Sequence, residues 1–77
     1  MTRVAAIDCG TNSIRLLVAD VDPVAGTVRD VERVMQVVRL GEGVDRTGRL
    51  SAAALQRTLA ATQEYARTCE RLGAERV

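Results

Sequence analysis

The fold turns on residues 4–21, VAAIDCGTNSIRLLVADV. Two hydrophobic runs, 4–7 and 14–21, are rich in β-branched residues and too short to span a membrane, so they read as strands. The connection between them, residues 8–13, is short and polar. Gly10 can take a positive φ without steric cost and can expose its backbone N–H, while Thr11, Asn12 and Ser13 add short side-chain donors. Such a loop can cradle phosphate oxygens. Asp8 closes the first strand with an acid where an anion site would want none, and a divalent cation between carboxylate and phosphate resolves the conflict. The same residues also suit an ordinary hairpin loop, because Gly, Asn, Asp and Ser are the commonest turn residues.

The quoted residues IDCGTNSIRLLVAD resemble the first phosphate hairpin of the Ppx/GppA phosphatases, the exopolyphosphatases and guanosine pentaphosphate phosphohydrolases. These sit within the larger group of sugar kinases, heat-shock chaperone ATPases and actin. Asn12 and Ser13 followed by Ile14, Arg15, Leu16 and Leu17 narrow the resemblance to Ppx/GppA; the second glycine and the lysine usual in ROK-type sugar kinases do not occur here. The resemblance implies an α/β, ribonuclease H-like (actin-like ATPase) fold, here partial: a three-stranded antiparallel meander, one long helix and the start of a parallel strand. It implies hydrolysis of terminal phosphate by water, with magnesium or another divalent cation and a glutamate base. Carried over residue by residue, it makes Asp8 the metal-linked acid, Gly10 the close-approach backbone, and Thr11, Asn12 and Ser13 the phosphate donors. No catalytic base is expected in this chain.

Working outward, composition bounds the alternatives. At 77 residues the chain makes at most one small domain that buries only about 60% of its surface, and the resemblance implies that it is an incomplete N-terminal Ppx/GppA domain. A hydrophobic fraction of 47% with 27% charged residues is that of a folding chain, not a disordered tail. Net charge is +1 with no basic block, and Tyr65 is the single aromatic residue, so neither an electrostatic footprint nor a stacking platform for nucleic acid is present. No stretch approaches the roughly 20 apolar residues of a transmembrane helix, and the N-terminus lacks a leader pattern, so a cytoplasmic protein with no membrane partner is expected. Cys9 and Cys69 read as free thiols, and a chain with no histidine and no CxxC offers no zinc site.

The remaining elements follow in order. The first strand is read over residues 3–9 and the second over 14–21, with Ile14, Leu16 and Val18 on one face and Arg15, Leu17, Ala19 and Val21 on the other. Arg15 is either a phosphate or carboxylate partner beside the loop or a strand-end charge reaching solvent. Asp22 to Gly26 is a turn, and a third strand over 28–40 is favoured over helix by its valines, with residues 35–40 as its packed part. The segment LGEGVDRTGRLS resembles the family's connection between third strand and first long helix, and Arg39 at its start is a candidate phosphate contact by position.

Residues 51–72 carry helical spacing. Leu55, Leu59, Thr62, Ala66 and Cys69 form one expected sheet-facing stripe, and Arg57 falls among the solvated charges. Ser51 is a good N-cap, Leu50 and Leu55 stand at hydrophobic-staple positions, and Gly73 can stop the helix. Beyond it a parallel strand should begin.

Three functional readings remain open. The first is a Ppx/GppA phosphohydrolase acting on polyphosphate or guanosine pentaphosphate, with a homodimer of the full-length protein allowed. The second is a sugar or acid kinase of the same larger group. The third is a non-catalytic module that pairs its exposed sheet edge with another chain.

Overall fold

The computed structural model describes residues 1–77, apart from the side chain of Asp45. Strands β1 (Thr2–Cys9), β2 (Ser13–Asp22) and β3 (Thr27–Val37) form an antiparallel meander in the order β1-β2-β3; a one-turn helix α1 (Val44–Thr47) and a long helix α2 (Ala52–Arg71) follow. The α/β arrangement of three strands and one long helix is as the hydrophobic runs require.

Register gives each side of the sheet its character. Ile7 lies opposite Leu16, which lies opposite Val34; Asp8 lies opposite Arg15, which lies opposite Met35. Because side chains alternate along a strand, Ile7, Leu16 and Val34 face α2, while Asp8, Arg15 and Met35 occupy the open face. The core under α2 consists of Ala5, Ile14, Leu16, Val18, Val38, Ala61, Tyr65 and Cys69, with Ile7, Val31, Val34 and Leu40 packed against it. An irregularity between Val18 and Ala19 shifts the pairing with β3, so that Val18 faces Glu32 and Ala19 faces Asp30.

The β2–β3 turn is self-contained. The Asp22 carboxylate accepts from the backbone N–H groups of Val24 and Ala25, both at 3.1 Å, and Gly26 takes φ 68° while donating to the Asp22 carbonyl at 2.8 Å. β3 ends at Val37, three residues short of the expected 40, because the next residues leave the ladder for the β1–β2 loop. Its last part is only half packed: Met35 and Val37 are exposed on the open face while Val38 is buried. The glycine-punctuated connection also holds one helical turn, α1, flanked by Gly43 and Gly48, both left-handed.

Helix α2 begins as expected, with the Ser51 Oγ accepting from the Ala54 N–H at 3.0 Å, and it is closed by Gly73 at φ 70°. The face that meets the sheet differs from the expected one by a rotation of one residue. Ala54, Thr58, Ala61, Tyr65 and Cys69 are buried, whereas Leu55 and Leu59 are 43% and 53% exposed. The alanines explain the choice: with Ala54 and Ala61 against the sheet the helix axis can approach closely, leaving room for one large ring, Tyr65. Thr58 tolerates burial because its hydroxyl donates to the Ala54 carbonyl at 2.9 Å.

After Gly73 the chain turns back beside β1. Glu75 N–H donates to the Arg3 carbonyl and Ala5 N–H to the Arg76 carbonyl, each at 2.8 Å, and Val4 and Arg76 form a parallel bridge. The Arg3 guanidinium locks this corner: it grips both carboxylate oxygens of Asp20 at 2.8 and 3.0 Å and donates to the Leu72 carbonyl at 2.9 Å. The hydrogen bond from Arg3 holds the Asp20 carboxyl below the usual carboxylate range. Among the described residues no helix is long and apolar enough to cross a membrane.

Candidate functional site

The far end of the β1–β2 hairpin carries the polar residues singled out in the sequence. β1 ends in Asp8 and Cys9, the loop is Gly10, Thr11 and Asn12, and Ser13 opens β2. Gly10 does not take a positive φ; the positive-φ glycines are Gly26, Gly43, Gly48 and Gly73. Nor is its N–H free, because it closes the loop on the Ser13 carbonyl at 2.9 Å. A Cβ at Gly10 would meet that carbonyl oxygen at 3.5 Å, an ordinary contact, so what this glycine contributes is an uncovered backbone and not a special conformation. The donors left facing outward belong to Thr11, Asn12 and Ser13, whose side chains have no hydrogen-bond partner among the described residues.

Asp8 is exposed, and among the described residues its carboxylate has neither an ion pair nor a hydrogen bond. Its cross-strand neighbour is Arg15, also exposed. The two line a shallow cleft of about 490 Å³ on the open sheet face, together with Ala6, Leu17, Arg33 and Met35. No group of three or more His, Cys, Asp or Glu side chains converges among the described residues. A single free carboxylate beside exposed hydroxyl and amide groups fits the chemistry of a hard divalent cation of the kind that binds through one or two carboxylates and keeps most of its waters.

Arg39 lies elsewhere. With Thr11 and Asn12 it lines a second cleft, of about 650 Å³, completed by Leu40, Gly41, Glu42, Val44 and Leu50. The loop thus stands between two clefts, Asp8 and Arg15 on one side and Arg39 on the other. Among the described residues Arg39 is the one non-glycine residue with a positive φ, 51°, a conformation that costs on the order of 1 kcal/mol unless its surroundings impose it. The surroundings do so: the N–H groups of Val38 and Arg39 both donate to the Asn12 carbonyl at 2.9 Å, and Gly41 N–H donates to the Thr11 carbonyl at 2.8 Å.

Two supports escaped the sequence reading. Tyr65, 1% exposed, sends its hydroxyl to the Ile14 carbonyl at 2.9 Å and so pins the start of β2 behind the loop. Burial pushes its phenol up, and the charge of Glu64 adds to the shift. Arg57, expected among solvated charges, instead donates from Nε to the Val38 carbonyl at 2.8 Å and from Nη2 to Glu42 at 3.2 Å. A lone tyrosine in an otherwise aromatic-free helix was the available signal for the first; nothing in the spacing distinguishes Arg57 from Arg67 or Arg71.

A meander crossed by one helix, with an acid-and-hydroxyl loop at one end of its sheet, defines an α/β protein that presents a free carboxylate and unpaired donors together. Comparison with known proteins narrows the class. The model of the Ppx/GppA phosphatase family matches residues 17–77. Exopolyphosphatase 2 of Mycobacterium tuberculosis is 54% identical over the whole of this chain, which spans 25% of that protein. A guanosine-5'-triphosphate,3'-diphosphate pyrophosphatase of Aeromonas hydrophila is 51% identical over 69% of the chain and 10% of its own length. The crystal structure of the Aquifex aeolicus Ppx/GppA family member superposes with a TM-score of 0.92 at 32% identity, over 99% of this chain and 24% of the other. The chain belongs to the Ppx/GppA phosphatase family, and it spans about a quarter of the length of the mycobacterial exopolyphosphatase and of the Aquifex aeolicus family member.

Proposed function

We propose that this chain is the first phosphate clamp of a magnesium-dependent phosphohydrolase that removes terminal phosphate from inorganic polyphosphate or guanosine pentaphosphate. The observation that carries the proposal is the exposed, unpaired Asp8 carboxylate opposite Arg15, at the strand end beside the open donors of Thr11, Asn12 and Ser13. Loop donors and Arg15 orient the terminal phosphate, and Asp8 is the residue that would hold the divalent ion. When bound, such an ion neutralises charge on the phosphoryl oxygens, which is where phosphoryl transfer needs help. The general base is supplied by another part of the whole protein. The meander, helix and returning parallel segment support the ribonuclease H-like, actin-like ATPase assignment as its architecture.

Whole-chain likeness to an exopolyphosphatase makes polyphosphate the first substrate to assay. The test measures phosphate release by the full-length natural polypeptide from polyphosphate and from guanosine pentaphosphate, with magnesium and after its chelation. Metal-dependent release from either substrate is expected. Release from neither, by a folded protein supplied with magnesium, would overturn the reading.

A further inference from the structure

The loop Thr11–Asn12 has little of its own to hold it in shape. Its two carbonyls are gripped from outside by a strap, residues 38–41: Val38 and Arg39 N–H both reach the Asn12 carbonyl, and Gly41 N–H reaches the Thr11 carbonyl. Gly41 is in close contact with Thr11, since a Cβ there would come within 3.4 Å of the Thr11 Cβ. The strap is in turn held from α2. Arg57 donates from Nε to the Val38 carbonyl at 2.8 Å, and from Nη2 to the Arg39 carbonyl at 3.4 Å and to Glu42 Oε2 at 3.2 Å. One planar fork therefore holds the carbonyls of both residues whose N–H groups converge on Asn12, and it also anchors the segment that follows them.

We propose that Arg57 is a positioning residue of the phosphate clamp, acting through the strap to hold Thr11 and Asn12 where they meet phosphate. The inference rests on the reading of that loop as a phosphate clamp. Arg57 has no place among the residues that line either cleft, so it acts without touching substrate. Its geometry is specific to a guanidinium: a lysine keeps the charge and most of the stem, but its single nitrogen cannot reach along two carbonyls and a carboxylate with the fixed spacing of the fork. Holding the strap also sustains the left-handed Arg39, whose N–H makes one of the two bonds to the Asn12 carbonyl.

The test compares wild type, Arg57→Lys, Arg57→Met and Asp8→Ala in the full-length natural polypeptide, using polyphosphate of defined length with magnesium. KM and kcat are measured separately, and thermal unfolding is followed for each protein. Loosening a clamp by a fraction of an ångström costs on the order of tenfold in kcat/KM. The expected result is a loss of that size in both Arg57 variants, expressed mainly as a raised KM, with Arg57→Lys melting close to wild type. Wild-type KM and kcat in Arg57→Lys, or in Arg57→Met should the lysine variant misfold, would overturn the positioning role while an inactive Asp8→Ala left the clamp standing. A loss that merely follows a lowered folded fraction would overturn it too, assigning Arg57 to stability alone. Full activity in Asp8→Ala would overturn the clamp reading, and this inference with it.

Discussion

The two ends of the β1–β2 hairpin use the same residue types to opposite purposes. At one end Asp20 is gripped by both arms of the Arg3 fork, and Asp22 spends its carboxylate on the N–H groups of its own turn. At the other end Asp8 has no partner among the described residues, the loop donors face outward, and the backbone is braced from β3 and α2 instead. A turn that satisfies its own groups is finished as structure. A loop whose polar groups are left over, yet whose backbone is held by its neighbours, has the preorganisation that the proposed anion site requires.

Mutations in the full-length polypeptide separate the two ends. The largest effect is expected for Asp8→Ala, which should lower metal-dependent phosphate release by about a hundredfold or more without lowering the melting temperature, because the carboxylate supports nothing in the fold. Arg15→Met should come next, with a roughly tenfold increase in KM for polyphosphate read from initial rates. Tyr65→Phe leaves the buried Ile14 carbonyl without its donor and should cost about 1–2 kcal/mol in chemical denaturation. Because the phenol is raised in the folded state, the stability it contributes is complete below its ordinary value of 10.0 and declines as pH rises beyond it; the phenylalanine variant should lack that alkaline decline. The smallest effect belongs to the finished end. Asp22→Ala should lose about 1 kcal/mol of stability and no activity. The Asp20 carboxyl is lowered in the folded state, so the stability of its pair with Arg3 is complete above the ordinary 3.8 and is lost as pH falls through the lower folded value. Asp20→Asn should flatten that acid limb of the unfolding curve.

Local chemistry was legible in the sequence wherever a residue acts on its own neighbourhood. The strands flanking the Asp8 loop, the Asp22 turn, the Ser51 cap and the Gly73 stop all rest on local rules, and the structure shows each of them. The packed face of α2 was not legible in the same way. Two apolar stripes lie one residue apart on that helix, and size favoured the one with Leu55 and Leu59; the sheet instead takes the stripe with Ala54 and Ala61, where backbone approach is closest. Gly10 shows the same limit, since a glycine in a polar loop suggests a left-handed residue and the ladder needed none. The braces at Arg57 and Tyr65 join residues 19 and 51 positions apart, and no local pattern encodes such pairings.

The role of Asp8 is put at risk by a magnesium titration of phosphate release from polyphosphate by wild type, Asp8→Asn and Asp22→Asn. Both variants remove one carboxylate charge from opposite ends of the same hairpin. If Asp8 holds the divalent ion, the Asp22→Asn curve superposes on wild type and the Asp8→Asn curve is shifted to far higher magnesium or abolished. An Asp8→Asn curve that superposes on wild type would contradict it.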